Sequence, residues 1–211
     1  VVKRIESESL GYLNYDIMKK IALFFMMALM VSSTNAGYGN SGAIVADGPY
    51  KVGDYYNDST KEGIVFQVSD DGMHGKIVSI DESRELWVGE TVCENVTAAT
   101  SKGDGMGNMN KIKRQPNWKS NYPAFAWCAS LGDGWYLPAV DELLLIYENK
   151  SIINRMLNEK GYGEIVDVIY WSSTEVEEEP DCAWYVNMND GDSNYNSKNY
   201  IEFSVRAVSV F

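Results

Sequence analysis

Residues 182–211, CAWYVNMNDGDSNYNSKNYIEFSVRAVSVF, decide how this chain is read. Both ends of the stretch, Cys182 to Val186 and Phe203 to Phe211, are rich in aromatic and β-branched residues, the signature of strands. Between them, from Asn187 to Tyr200, nearly every residue is Asn, Asp, Ser, Gly, Lys or Tyr, with Met188 the exception. A polar stretch between two strands is ordinarily a loop. Here Tyr195 and Tyr200 are interleaved with Asn, Ser and Asp, the composition of adaptable binding surfaces. Asn, Tyr, Ser and Asp are also all reachable from an Asn codon by changing its first or second base. If the flanks are core, the middle is held at both ends. It then presents Asn187, Asn189, Asp190, Asp192, Ser193, Asn194, Tyr195, Asn196, Ser197, Asn199 and Tyr200 as a ligand-binding face. Where that segment is strand-like, only alternate residues face one side.

One charge sits inside the apolar end of the stretch. Arg206 lies in a run that is apolar on both sides, so it needs a carboxylate partner. Glu142 is the first candidate and Asp141 the second, and the expected role is structural. Upstream, Tyr170 to Thr174 reads as a strand followed by a solvated acidic loop, Glu175 to Asp181. Pro123 to Gly132 reads as a short buried helix closed by a C-terminal glycine. Val140, Leu143, Leu144 and Tyr147 fall at i, i+3, i+4, i+7, one apolar face of a helix with acids in its first turn. Further short helices are expected over Asn108 to Arg114 and Ile152 to Lys160. Gly63 to Ser69 and Lys76 to Ile80, joined by an Asp-Gly turn, predict a β-hairpin. His74 in that turn is given no role. Thr100 to Gly107 is glycine-rich but lacks the Gly-Lys-Ser/Thr ending of a phosphate loop.

The bulk properties bound the function. The 211 residues carry a net charge of −12, with nothing to neutralise phosphates, which argues against nucleic acid and anionic membranes as partners. A single histidine excludes multi-histidine mechanisms. Met18-Lys19-Lys20, the apolar run Ile21 to Val31 and the small residues ending at Ala36 are the three parts of a secretory signal peptide. The run is too short to span a bilayer, which takes about 20 apolar residues. The expected organisation is an upstream extension over 1–17, a signal peptide over 18–36 and a flexible lead-in over 37–48. One domain follows over 49–211, and the mature chain begins at Gly37. Once the signal is cleaved no membrane insertion is expected, and the protein is secreted, periplasmic or at the cell surface. Cys93, Cys128 and Cys182 are an odd set, which leaves at least one thiol unpaired or joined to another chain. Flanked by apolar residues, Cys128 reads as a small hydrophobe.

Several pieces in order resemble one family. They are Ala126-Trp127-Cys128, Gly134-Trp135-Tyr136-Leu137-Pro138, Glu142-Leu143, Tyr170-Trp171-Ser172-Ser173, Ala183-Trp184-Tyr185-Val186 and Val205-Arg206-Ala207-Val208. The series is similar to the Lcl carboxy-terminal-domain family, bacterial secreted modules related to the C-type lectin and formylglycine-generating-enzyme folds. The resemblance implies an α+β, C-type lectin-like fold with short helices packed on small antiparallel sheets, preceded by the β-hairpin region. The tail also resembles the variable region of diversity-generating retroelement target proteins, whose altered residues line a ligand-binding face. Many relatives carry a cysteine where this chain has Ala207, so the implied partner of Cys128 is missing. The reactive cysteine pair of formylglycine-generating enzymes is missing too.

The resulting expectation is a non-enzymatic binding module for an unknown protein or glycan ligand, with no cofactor and no metal. The alternative is a calcium-dependent lectin. Glu179-Pro180-Asp181 resembles the sugar-binding motif of such lectins, and Asn189-Asp190 its second part, and both supply the oxygen ligands that calcium needs. An enzyme using Asp181 and Asp190 as a glycosidase pair has no support beyond the abundance of carboxylates.

Overall fold

The last thirty residues bind two sheets into one core, and they do so by breaking in the middle. The computed structural model describes residues 49–89 and 95–211, and all of them fall within one compact unit, Ile44–Phe211. The expected signal peptide, extension and lead-in lie outside the described residues, as does Cys93. Among those described are nine strands and five short helices, an α+β arrangement.

The expected hairpin is present as β2 (Glu62–Val68) and β3 (Gly75–Ser79), with β1 (Tyr55–Asn57) beside β2. Gly72 takes the positive φ of +70° that its turn requires. His74 lies exposed in this turn, its ring 3.4 Å from the Asp71 carboxylate. A second sheet runs in the order β4 (Ser83–Glu85), β8 (Phe203–Val205), β5 (Ile169–Glu175), β6 (Cys182–Asn187), β7 (Ser193–Ser197). Its pairings are antiparallel except where β5 meets β8.

The sequence predicts one strand from Phe203 to Phe211, but there are two. β8 belongs to the five-stranded sheet, while β9 (Val208–Val210) completes the first sheet in the order β1-β2-β3-β9. Arg206 and Ala207 make the crossing, and every residue from Phe203 to Ser209 is buried. That burial on both sides hides the break from any pattern reading, because a two-residue crossing inside a continuously buried run leaves no inside–outside alternation to lose.

The helices pack across the sheets. α1 (Gly105–Ile112) starts earlier than expected because the Asp104 side chain accepts the Gly107 N–H at 2.7 Å and caps it. α2 is the single turn Trp118–Asn121. α3 (Pro123–Ser130) opens on proline and buries Phe125 and Cys128. α4 (Val140–Glu148) and α5 (Lys150–Lys160) follow, the latter ended by Gly161 in the left-handed conformation. Trp87, Tyr122 and Phe125 meet edge to face in the core between them. Among the described residues no helix is long and apolar enough to cross a membrane.

Candidate functional site

The polar segment is a hairpin arm, not a free loop. β6 pairs with β7 from Cys182↔Ser197 through Tyr185↔Asn194 to Val186↔Ser193. Strand alternation therefore divides the expected ligand-binding residues between two sides of the sheet. Tyr195 stands opposite Trp184, their rings 5.6 Å apart and edge to face. The Lys102 ammonium sits 4.4 Å above the same Trp184 ring, and the Tyr195 hydroxyl donates to Glu179 at 3.2 Å. On the other side, Asn194 stands opposite Tyr185 and Asn196 opposite Ala183. The half-buried Tyr185 ring packs on Trp171 and Phe203.

Several of the expected site residues hold the turns at the ends of β7. The Asn187 amide donates to Asp190 and accepts the Asn189 N–H, while Asp190 accepts the Asp192 N–H. Gly191 closes this turn at a φ of +78°, its Cα against the Tyr147 ring. At the other end Ser197 donates to Asn199. Asn194 and Asn196 use their side-chain oxygens on the backbone, each accepting the N–H of the next residue at 2.8 Å. Their amide NH₂ groups are left as donors of fixed direction. Tyr200 is 76% exposed, the most open large side chain of the segment.

Beside this face lies a cleft of about 290 Å³. Val168, Ile169, Ile201 and Phe203 give it apolar walls; Arg84, Asp167, Asn187 and Ser204 bring polar groups to it. Asn187 and Phe203 join the cleft to the Tyr185–Asn194 surface. Val168 and Ile201, which line the cleft, are exposed apolar residues. The sequence reasoning missed the cleft, because its walls come from segments more than thirty residues apart. Ile201, an apolar residue directly after a polar run, was the one local signal.

Two expected electrostatic roles need correction. Glu175 is not part of a solvated loop. It is the last residue of β5, and only 1% of its side chain is exposed. It accepts Lys198 Nζ at 2.6 Å and the N–H groups of Thr97 and Ala98. Lys198, equally buried, also donates to the Pro180 carbonyl and lies 4.5 Å from the Trp87 ring centre. Burial lowers the Lys198 pKa, and the Glu175 carboxylate opposes that shift. The segment called polar and adaptable is thus anchored at its far end by a buried ion pair.

Arg206 does not pair with Glu142 or Asp141. Its Nε donates to Glu82 at 3.0 Å, and its two terminal nitrogens reach the carbonyls of Ser79, Gly163 and Glu164. Glu142 is buried as expected but serves another cation: it accepts Lys76 Nζ at 2.7 Å, Tyr136 Oη at 2.9 Å and the Ala139 N–H at 2.8 Å. The last of these is half of a capping box at the start of α4.

Comparison with known proteins fits this architecture. The profile of the Lcl C-terminal domain matches residues 83–209, more than half of the sequence. The chain belongs to the Lcl C-terminal domain family. Within this Lcl domain the match runs from β4 to β9, so the β1–β3 hairpin region precedes it in sequence while sharing its core through β9. Among solved structures, the chain is similar to a fimbrial protein from Bacteroides ovatus, at a TM-score of 0.59 and 15% identity. The alignment covers 76% of this chain and 48% of that one, so the chain spans about half of that relative's length. At that identity the likeness speaks for the fold. No curated protein matches the sequence.

Among the described residues two thiols are free, Cys128 buried and Cys182 partly so. Burial pushes both up, Cys182 to about 11 with Asp181 and Glu179 adding to the shift. Neither is poised as a nucleophile. Among the described residues no three acidic, histidine or cysteine side chains gather to hold a metal. Glu179, the first residue of the expected calcium motif, accepts the Tyr195 hydroxyl at 3.2 Å.

Proposed function

We propose that this Lcl domain is a secreted or surface-exposed binding module without chemistry of its own. Its ligand face is built from Asn194, Asn196 and Tyr185 together with the cleft walled by Ile201 and Phe203. The observation that carries the reading is the pair of locked amides. With each oxygen held by the backbone, Asn194 and Asn196 offer donors already oriented, which lowers the ordering cost of binding. An aromatic ring and an apolar cleft beside oriented donors suit either a sugar face or a protein loop with one apolar anchor. Retroelement-driven diversification of this hairpin belongs to the same proposal, because the exposed β7 positions can change without touching the core. A reverse transcriptase gene beside a near-repeat of the 3′ end is the genomic observation that would support it.

The test is a screen of glycans and cell-surface proteins, followed by substitutions. Tyr185→Ala, Ile201→Ala and Asn196→Ala are expected to weaken binding by about 2 kcal/mol at a true hot spot. Changes in the Asp70–Gly75 turn are expected to leave it alone. Loss in the turn variants with retention in the others would put the ligand elsewhere.

A further inference from the structure

The free edge of β7 is the most unusual surface of the molecule, and its backbone reveals what is held there. β7 ends its sheet, with no neighbour beyond it among the described residues. Asn187 and Lys198 donate their N–H groups across the hairpin, to Asp192 and Asp181. That phase sends the backbone groups of Asn194 and Asn196 toward β6, and those of Ser193, Tyr195 and Ser197 outward. The two side-chain caps fall on this outward set: Asn194 Oδ1 accepts the Tyr195 N–H and Asn196 Oδ1 accepts the Ser197 N–H. Open edges are usually protected by lysine, proline or a bulge. β7 has none of these, and no charge. Its sequence, Ser193-Asn194-Tyr195-Asn196-Ser197, reads the same in both directions.

We propose that the edge of β7 is a self-pairing surface for a second copy of this chain, restrained by the caps of Asn194 and Asn196. An antiparallel pair centred on Tyr195 places like against like: Ser193 on Ser197, Asn194 on Asn196, Tyr195 on Tyr195. This is the self-complementary contact that a two-fold axis demands. The outward N–H and C=O of Tyr195 then exchange with those of its mate, and the Trp184–Tyr195 pair extends into a four-ring row across the axis. Two forces oppose the pairing. Each cap must be surrendered, and the acidic residues Glu177 to Glu179 of the two copies approach, Glu179 already lying against Tyr195. Salt screens the second force and leaves the first. The pairing uses the edge of the sheet rather than its open side, but it releases the same Asn194 and Asn196 caps that orient the proposed ligand face, so self-association is read without ligand.

Sedimentation equilibrium of the folded protein in high salt tests it. Removing both caps with Asn194→Ala and Asn196→Ala is expected to strengthen self-association by about tenfold or more. The single changes Asn194→Ala and Asn196→Ala each release one cap without adding charge and are expected to fall between the parent and the double variant. Adding Tyr195→Pro to the uncapped protein removes the central outward N–H and is expected to return it to monomer. Should the proline variant fail to fold by circular dichroism, Tyr195→Lys sets two like charges opposite each other and takes its place. Unchanged association in the uncapped protein overturns the proposal. So does an increase that survives the block at Tyr195.

Discussion

Among the described residues, the tail buries two cations, one where β7 ends and one where β8 crosses to β9, and holds them in opposite ways. At the β8–β9 crossing, Arg206 spreads its donors over one carboxylate and several backbone carbonyls from two segments, 79–82 and 163–164. At the end of β7, Lys198 depends on one buried carboxylate, one carbonyl and a ring face. Glu82, the acid on Arg206, is 24% exposed, whereas Glu175 is 1% exposed. The difference follows from side-chain chemistry. A planar fork can tie several loops at once, while an ammonium is a point charge best neutralised by a single partner. Arg206 therefore works as a junction between segments, and Lys198 works as an anchor for one strand.

Breaking the Lys198 end is expected to cost most. Lys198→Ala or Glu175→Ala leaves an uncompensated buried charge, which costs about 3–5 kcal/mol by chemical denaturation. The joint change Lys198→Met with Glu175→Leu is expected to recover much of it, since an apolar pair of similar volume often matches a buried ion pair. If either single variant melts like the parent, the anchor reading is wrong. On the Arg206 side, Glu82→Gln is expected to cost only about 1 kcal/mol, because the carbonyl bonds persist and the amide oxygen still accepts from Nε. A loss equal to that of Glu175→Ala would erase the contrast between the two ends.

Alkali separates them by sign. Tyr170 donates to Glu82, and burial together with that carboxylate raises its pKa above 10.0. A raised folded pKa gives stability that is complete below pH 10 and lost as pH climbs through the folded value. Lys198 is shifted the other way, below 10.5. The unfolded chain then binds the extra proton in the interval beneath 10.5, so this end gains stability as pH rises through it. Tyr170→Phe is expected to blunt the alkaline loss, and Lys198→Met to remove the gain, both read from denaturant midpoints between pH 8 and 11. The smallest effect belongs to the exposed part of the hairpin. Tyr195→Ala is expected to change stability by under about 0.5 kcal/mol, as surface substitutions do. A larger loss would mean that its contacts with Trp184 and Glu179 are part of the fold.

These two ends also mark what sequence reasoning could and could not reach. The hairpin of β2 and β3, the α4 stripe and the glycine end of α5 were legible, because each is a local pattern with its own period or punctuation. Burial of Arg206 was legible too, since apolar neighbours on both sides announce it, and Glu142 was expected to be buried as its partner. Their partners were not. Glu82 and Lys76 arrive from the amino-terminal hairpin region, and nothing local distinguishes Glu82 from the other acids. Lys198 was hidden more deeply: it stands in a run of Asn, Ser and Tyr that looks solvated, and only the return of the chain over Trp87 buries it. The candidate site follows the same rule. The composition of β7 was visible, but its division between two sides of a sheet depends on a register that composition does not carry.

The turn at Gly191 sets a boundary on how this hairpin can change. A Cβ at that position would stand 2.3 Å from the Tyr147 ring of α4, in a backbone conformation that side chains rarely adopt. Any mutational process sweeping the segment, natural or in a combinatorial library, therefore meets a fixed hinge three residues before Asn194. If the proposed function holds, changes at 194, 195 and 196 are expected to alter ligand preference, while changes at 191 are expected to be lost at the folding step. A combinatorial library confined to that short strand is therefore expected to waste few clones on unfolded variants.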